Sequence, residues 1–279
     1  MSSLKLNVEA LNVRFVNGKK EMHAVRDVSF TLGREKLAIV GESGSGKSTV
    51  GRSLLKLHPG STQITAKALQ FGDVDLLSAS EKAMQKIRGQ RISMIMQDPK
   101  YSLNPVVKVG DQIAEAYLAH HKASRSEARE RVMLMLEKVH IRDPKRVYNL
   151  YPHEVSGGMG QRIMIAMMVI TNPEVIIADE PTSALDVSVR QQVLNVLEAL
   201  VVEQQMGLIF VSHDLNLVRN YCDRVLVMYA GRVVESLAAC DLQYAEHPYT
   251  RGLLAALPSM DNRRPRLPVL QRDPLWLTC

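Results

Sequence analysis

The chain has 279 residues, of which 46% are apolar and 23% are charged, a composition typical of folded globular proteins. That balance excludes a disordered, collagenous or coiled-coil chain, and no apolar run approaches the ~20 residues that a membrane-spanning helix needs. The net charge of +6 does not establish a nucleic-acid partner, because an anionic ligand or a lipid surface would suit it equally well. The three cysteines, Cys222, Cys240 and Cys279, are widely spaced and no secretory leader pattern precedes them, so we expect free thiols in a reducing cytosol.

The N-terminal part predicts β-strands followed by a strand–loop–helix unit. Residues 6–15 and 25–32 are rich in β-branched and apolar side chains, and Asn17-Gly18 predicts a turn between them. The apolar run 36–40 predicts a buried strand, and residues 48–57 predict a helix. A strand, a loop and a helix in this order are typical of an α/β fold.

The loop between that strand and that helix has the pattern G-x-x-x-x-G-K-[ST]. Its residues are Gly41, Glu42, Ser43, Gly44, Ser45, Gly46, Lys47 and Ser48, with Thr49 next. Glycines allow backbone N–H groups to converge on phosphate oxygens, and the helix directs its positive end to the same point. Lys47 is then a cation for the β- and γ-phosphates, and the Ser48 hydroxyl is a ligand for Mg²⁺. The alternative is a plain glycine turn, but the flanking elements favour a nucleotide-binding loop.

The middle of the chain changes to a helical pattern, from about Asp111 to His140. Ser124 and Glu127 have the spacing of a capping box. The apolar residues that follow fall on one helix face: Ala128, Val132, Met135, Leu136 and Val139. The excess of basic residues between 122 and 146 is typical of a solvated helix face.

The α/β alternation resumes after Gly157. Residues 174–178 and 208–212 predict buried strands, residues 187–203 predict a helix, and Ala230-Gly231 predicts the turn of a hairpin. Asp179 and Glu180 end the first of these strands. With a phosphate loop upstream, such a pair can hold Mg²⁺ or its water and can orient an attacking water as a general base.

Five further features occur alongside the phosphate loop, and their combination resembles the ATP-binding subunit of an ABC transporter. They are an aromatic residue for adenine at Phe15, a Q-loop glutamine at Gln97, a signature loop at Ser156-Gly157-Gly158, a D-loop at Ser183-Ala184-Leu185-Asp186 and a switch histidine at His213. All of them stand in the order that the family has, and the resemblance covers residues 5–260.

The resemblance implies an α/β fold of a particular kind. We expect a P-loop NTPase (RecA-like) core with an antiparallel β subdomain and an inserted α-helical subdomain. The ABC ATP-binding domain is predicted over residues 1–258, with its core in 1–96 and 160–240 and its helical subdomain in about 97–159. Residues 241–279 are predicted to be a C-terminal extension.

The resemblance also implies roles for these residues in ATP hydrolysis. Glu180 would orient the attacking water, and His213 would bind the γ-phosphate and align Glu180. Ser48, Asp179 and Gln97 would fix Mg²⁺ and its waters. The signature residues and the D-loop residue Asp186 would serve nucleotide: in this family the signature loop completes the site of a facing subunit, so that two subunits enclose two ATP molecules. Met159 stands where the family usually has Gln, but the peptide-importer branch commonly has Met at this position. Gly160 stands where that branch usually has Arg, and it puts full activity of this loop in question.

Three segments resemble the oligopeptide, dipeptide and nickel importer branch: residues 97–105, 151–154 and 247–258. That branch implies two transmembrane permease subunits, a second ATPase subunit that is identical or paralogous, and an extracytoplasmic substrate-binding protein that acts indirectly. The chain would lie at the cytoplasmic face of the cell membrane as a peripheral subunit, without nucleic acid. Tyr101, Leu103 and Pro105 are either permease contacts or core residues of the insertion. Because only Cys279 lies in the tail, we expect no iron–sulfur cluster.

Other functions of related proteins fit less well. A non-transport ABC-type ATPase that acts on nucleic acid would have a long coiled coil or clustered cysteines, whereas the stretch from Gln97 to Ser156 is short. A ribosome-associated ATPase would normally hold two cassettes, and only one is present. The signature and D-loop segments argue against a P-loop kinase. The cargo stays open, with peptides, glutathione-like compounds, opines, sugars and nickel as alternatives.

Overall fold

The structure is a computed structural model, and it describes residues 6–18, 20–183 and 185–257, with residues 273 and 276. The chain divides into two compact units, Met1–Ala79 with Ile209–Cys279, and Ser80–Leu208. The boundary near residue 208 falls inside a strand. The subdomain limits expected from the sequence stay a prediction.

The described elements alternate between strands and helices for most of the chain. The strands are β1 (Leu6–Asn17), β2 (Lys20–Leu32), β3 (Lys36–Val40), β4 (Thr62–Thr65), β5 (Ala68–Phe71), β6 (Val74–Asp75), β7 (Ile92–Ile95), β8 (Val175–Asp179), β9 (Gly207–Ser212), β10 (Arg224–Tyr229) and β11 (Arg232–Ala238). The helices are α1 (Lys47–Leu54), α2 (Glu81–Ile87), α3 (Pro99–Ser102), α4 (Val109–Leu118), α5 (Arg125–Lys138), α6 (Pro144–Tyr148), α7 (Gly157–Val169), α8 (Val187–Glu203), α9 (Leu215–Tyr221) and α10 (Pro248–Ala255). Short 3₁₀ turns occupy Pro152–Glu154 and Ala239–Tyr244.

An antiparallel sheet forms much of the first unit. β1 and β2 make a long hairpin whose register runs from the pair Leu6 and Leu32 to the pair Asn17 and Lys20. β4 and β5 pair with β1, and β6 extends the sheet from β5. The sequence predicted β1 and the second half of β2, but it gave no prediction for the short strands β4 to β6.

A parallel pair of strands positions the phosphate loop in the same unit. β3 lies beside β10, with Leu37 opposite Arg224 and Val40 opposite Val227. The predicted hairpin through Ala230-Gly231 is confirmed, since β10 and β11 are antiparallel neighbours. The side chains of β3 from Leu37 to Val40 are fully buried, as is typical of a strand in a parallel sheet that is covered on both faces.

The second unit combines a parallel strand pair with most of the helices. β7 and β8 pair from Ile92 and Val175 to Ile95 and Ala178. The helical pattern predicted over 111–140 contains two helices, α4 and α5, rather than one. Ser124 explains the break, because its Oγ accepts the backbone N–H of Glu127 and so starts a new helix.

The predicted α/β class with an antiparallel β part and inserted helices is confirmed. Within the described ranges, no helix is both long enough and apolar enough to cross a bilayer.

Candidate nucleotide-binding site

The phosphate loop has a backbone that requires glycine at two positions. Gly41 has φ +148, and a Cβ there would lie 2.1 Å from the carbonyl oxygen of Met228. Gly46 has φ +100, and a Cβ there would lie 2.5 Å from the carbonyl oxygen of Ala24. The glycines of this motif therefore hold the loop against neighbouring strands, in addition to leaving room for a ligand.

The polar groups of the loop are suited to phosphate. Nζ of Lys47 donates to the carbonyl oxygens of Gly41 at 2.8 Å and Glu42 at 2.9 Å, although the residue is only 5% exposed. The Ser45 hydroxyl is buried and has no hydrogen-bond partner among the residues that the structure describes. A cavity of about 180 Å³ opens beside the loop, lined by Glu42, Ser43, Gly44, Ser45, Tyr229 and Ala230. A buried cation and an unsatisfied hydroxyl in one glycine-rich loop fit a phosphate ligand.

Ser48 and Thr49 follow Lys47 in the first turn of α1 and are both half-buried. The helix has no acidic residue in its first turn, so no side-chain carboxylate there competes with an anion at its N-terminus.

Phe15 lies near the end of β1 and is half-buried. Its ring contacts the ring of His58 edge-on, with centroids 5.5 Å apart. Nε2 of His58 lies 3.0 Å from Oγ of Ser53 and 3.3 Å from the carbonyl oxygen of Thr49. His58 thereby connects the predicted adenine-stacking residue to α1. Burial lowers the pKa of His58, and the hydrogen bond to the Thr49 carbonyl oxygen offsets part of this effect. No motif in the sequence indicated this histidine.

His213 directly follows β9, as predicted, and lies in the first unit. The Ser212 hydroxyl accepts the backbone N–H of Asp214, which caps α9 through the N–H of Leu217. The histidine is therefore held in a short, hydrogen-bonded turn between a buried strand and a helix.

In the second unit, the structure brings together two residues of the predicted catalytic set. Nε2 of Gln97 donates to Oε2 of Glu180 at 3.3 Å. Glu180 follows Asp179, the buried last residue of β8, and has φ +48. A left-handed conformation is costly for a residue with a Cβ, and such strain often occurs at functional sites. The chain turns sharply here, and the Ser183 hydroxyl donates to the carbonyl oxygen of Glu180.

The signature segment forms the start of α7. Ser156 is the N-cap, and its Oγ accepts the backbone N–H of Met159 at 3.4 Å. A Cβ on Gly158 would lie 2.5 Å from Cγ1 of Val189, whereas a Cβ on Gly157 would meet only Leu185, at 4.0 Å. The lack of a side chain at Gly158 thus allows the close approach of α7 to α8, in addition to the predicted role of this residue in nucleotide binding.

The D-loop aspartate caps the neighbouring helix. Oδ1 of Asp186 accepts the backbone N–H of Val189 at 3.0 Å and the hydroxyl of Ser188 at 2.8 Å. Both hydrogen bonds lower the pKa of the Asp186 carboxyl, and the one from the backbone N–H of Val189 has the larger effect. Ala184 of the predicted D-loop lies outside the described residues.

The three candidates for permease contact differ in exposure. Tyr101 is 92% exposed and Pro105 is also exposed, whereas Leu103 is 5% exposed and belongs to the core of its unit. Among the described residues, no three His, Cys, Asp or Glu side chains form a cluster that could hold a metal. Cys279, on which the iron–sulfur prediction depended, lies outside them.

Residues 25–183 match the family model described as "ABC transporter". The chain belongs to the ABC transporter family. It is an ATP-binding subunit, with the ATPase activity that this family couples to transport.

Curated relatives of this ABC subunit are named after import systems. The chain is 45% identical over 260 residues to the oligopeptide transport ATP-binding protein OppD of Bacillus subtilis, covering 92% of this chain and 73% of that one. A peptide import ATP-binding protein of Brucella abortus is 44% identical over 268 residues, which is 95% of this chain and 80% of that one. The glutathione import ATP-binding protein GsiA of Shigella boydii is 45% identical over 263 residues, covering 91% of this chain and 42% of the relative.

Solved ABC cassettes have the same fold. A dimeric post-hydrolysis structure of the cassette MJ0796 bound to ADP and Pi superposes with a TM-score of 0.72 at 24% identity, over 84% of this chain and 98% of that one. The cbiO1 subunit of the Clostridium perfringens transporter complex cbiONQ superposes with a TM-score of 0.72 at 27% identity, over 87% of this chain and 92% of that one. The predicted P-loop NTPase core is thereby confirmed.

Proposed function

We propose that this ABC subunit hydrolyses ATP in a dimer of two such subunits to power the uptake of peptides, a related small solute or nickel. The single observation that carries this proposal is the phosphate loop. It combines the buried Lys47 amine, a Ser45 hydroxyl that has no hydrogen-bond partner among the described residues, and two positions at which the backbone requires glycine. The import systems named for its relatives supply the cargo class.

In the proposed site, the loop from Gly41 to Thr49 binds the phosphates of ATP. Backbone N–H groups and the start of α1 supply partial positive charge, and Nζ of Lys47 moves from its two carbonyl partners toward the β- and γ-phosphates. Phe15 stacks on adenine, with His58 against its edge.

The proposed metal ligands are hard oxygen donors, as Mg²⁺ prefers. They are the Ser48 hydroxyl, the Asp179 carboxylate and the amide oxygen of Gln97, directly or through water. When bound, Mg²⁺ neutralises charge on the β- and γ-phosphates.

Glu180 is the proposed general base, and Gln97 fixes its carboxylate through the 3.3 Å hydrogen bond. A positioned base of this kind contributes ~10²–10⁴-fold to the rate. His213 binds the γ-phosphate and aligns Glu180, and Lys47 stabilises the charge that develops in the transition state.

The remaining residues serve the second subunit's nucleotide. The N-terminus of α7, with Ser156, Gly157 and Gly158, presents N–H groups and a hydroxyl to the γ-phosphate across the dimer. Asp186 lies near the same interface. ATP binding then closes the dimer and hydrolysis reopens it, because nucleotide contacts both halves only in the closed state.

The partners that we propose are two permease subunits, a second ATPase subunit of the same or a paralogous sequence, and indirectly an extracytoplasmic binding protein. This places the chain on the cytoplasmic face of the membrane. Exposed Tyr101 and Pro105 are its proposed permease contacts.

The proposal is tested by purifying the intact membrane complex and identifying its chains. We expect two permeases, two ATPase subunits and ATP hydrolysis that rises when a peptide-loaded binding protein is added. A chain that purifies on ribosomes or nucleic acid, without permease, would contradict it. Replacing the loaded binding protein by the empty one is the matched control, and a panel of peptides, glutathione and Ni²⁺ identifies the cargo.

A further inference from the structure

The phosphate loop is in contact with a residue near the C-terminus. The backbone N–H of Glu42 donates to the hydroxyl of Tyr249 at 3.0 Å, across 207 positions of sequence. Tyr249 is fully buried in α10. The carbonyl oxygen of Glu42 accepts Nζ of Lys47. The backbone N–H of Glu42 is therefore bonded to Tyr249 of the C-terminal extension, and its carbonyl oxygen is bonded to Lys47 of the same loop.

Tyr249 is part of an aromatic cluster. Its ring centroid lies 4.6 Å from that of Tyr229 and 5.9 Å from that of Trp276. Trp276 also meets Tyr229 edge-on at 5.7 Å and His247 at 6.1 Å. Tyr229 lines the cavity beside the phosphate loop. The cluster thus reaches from the last part of the chain to the wall of the candidate site.

The start of α10 is anchored to the same hairpin. Oε1 of Glu235 in β11 accepts the backbone N–H groups of Glu246 at 2.7 Å and His247 at 3.3 Å. Nδ1 of His247 caps α10 by accepting the N–H of Tyr249 at 3.1 Å. These bonds fix where the Tyr249 ring enters the core.

The hairpin turn contacts the loop independently. The backbone N–H of Gly231 donates to the carbonyl oxygen of Ser45 at 3.0 Å. Glu42 and Ser45 are therefore both held by residues of the C-terminal third of the chain. A phenylalanine at position 249 would fill nearly the same volume, so the hydroxyl matters for its bond to the loop.

We propose that Tyr249 is a positioning residue for ATP, and that the aromatic cluster of Tyr229, His247, Tyr249 and Trp276 braces the phosphate loop. The brace holds the Glu42 backbone in the conformation from which the rest of the loop receives phosphate. This inference rests on the nucleotide site proposed above. It assigns a role in nucleotide binding to Tyr229, His247, Tyr249 and Trp276, which lie outside the phosphate-binding motif.

The first test is Tyr249→Phe in the full chain, titrated with ADP and with ATP by calorimetry. Loss of one hydrogen bond to a buried N–H predicts a Kd for ATP that is about fivefold higher. KM for ATP should rise by the same factor, while kcat at saturating ATP stays within about twofold. Tyr244→Phe is the control, because Tyr244 is exposed. A lowered Tm with unchanged Kd and KM would reduce Tyr249 to a packing residue and overturn the proposal.

The second test uses fluorescence, since Trp276 is the single tryptophan of the chain. ATP or ADP should change its emission, and the change should be smaller in Tyr249→Phe. Emission that does not respond to saturating nucleotide would overturn the coupling of cluster and loop. Lys47→Ala separates the two proposals. If that variant still binds ATP normally, the nucleotide site itself is wrong. If it loses binding while Tyr249→Phe behaves as wild type, only the brace is wrong.

Discussion

Gln97 donates a hydrogen bond to the carboxylate of Glu180 across 3.3 Å, although 83 residues separate them in sequence. Gln97 follows β7 and Glu180 follows β8, and these strands are parallel neighbours. The carboxyl ends of adjacent parallel strands meet at one edge, where α/β folds place their ligands. The bond therefore joins the proposed water-orienting base to the segment that leads into the helices of its unit.

Glu180→Gln should leave ATP binding intact and lower turnover by about 10²–10³-fold, because an amide cannot accept the proton of the attacking water. The variant should also accumulate as an ATP-bound dimer. Phosphate release and size-exclusion chromatography with ATP measure the two effects. Glu203→Gln, which changes an exposed carboxylate paired with Lys138, is the control. Turnover near the wild-type rate would rule out Glu180 as the base.

Ser156→Arg should prevent dimer closure, because it places a cation where the proposed interface excludes water. An unpaired buried charge costs about 3–5 kcal/mol, which corresponds to more than a hundredfold in the closing equilibrium. ATP-dependent dimerisation in the Glu180→Gln background measures the loss. Ser126→Arg, on an exposed face of α5, controls for added charge. Ser156→Ala adds no charge but removes the helix cap, so it should lower stability by about 1 kcal/mol. Unchanged ATPase and transport in assembled Ser156→Arg complexes would contradict the facing-site role.

Gly160→Ala should stabilise the protein by about 0.5–1 kcal/mol, because alanine favours a helix more than glycine does. A Cβ at this position would meet Pro99 at 3.5 Å, which is ordinary contact. Gly110→Ala is the matched contrast in α4, since its Cβ would lie 2.2 Å from the ring of Tyr148. Thermal unfolding should shift upward for the first variant and downward for the second. A lower Tm for Gly160→Ala would show that α7 needs glycine there.

The stability of the protein should fall on acidification, in part through His58. Burial, together with the charge of Arg52, lowers the pKa of His58 below its ordinary value, against the Thr49 carbonyl. As the pH decreases through about 6.5, the unfolded chain takes up a proton that the folded site resists, so the free energy of unfolding decreases. Above that pH neither the folded nor the unfolded chain is protonated at His58, so this residue no longer lowers the free energy of unfolding. His58→Gln should reduce the slope of this free energy between about pH 7.5 and about pH 5.5, as measured by urea unfolding.

Part of the slope should remain in His58→Gln, because desolvation also lowers the pKa values of His23 and His120. The same variant should weaken ATP binding slightly, since Phe15 loses the ring at its edge. Equal slopes in wild type and variant would show that the pKa of His58 is the same in the folded and unfolded chains, and would contradict this prediction.

Local sequence patterns predicted the elements whose formation depends mainly on their own residues. The strand at 36–40, the helix at 187–203 and a helix start at Ser124 match the structure, because burial and caps act over a few neighbouring positions. The short strands β4 to β6 were not predicted. With two to four residues each, they depend on pairing with β1 or with one another rather than on their own periodicity.

By itself, the sequence determined the family and the phosphate-binding loop, because each motif that indicates them lies within a few consecutive residues. Only the tertiary structure decided which distant residues support that loop and the signature helix. The bond from Glu42 to Tyr249, the contact of Phe15 with His58 and the fit of Gly158 against Val189 each join segments that no local pattern relates. Such contacts depend on the path of the chain through the folded core, where close packing selects partners by position and shape rather than by sequence order.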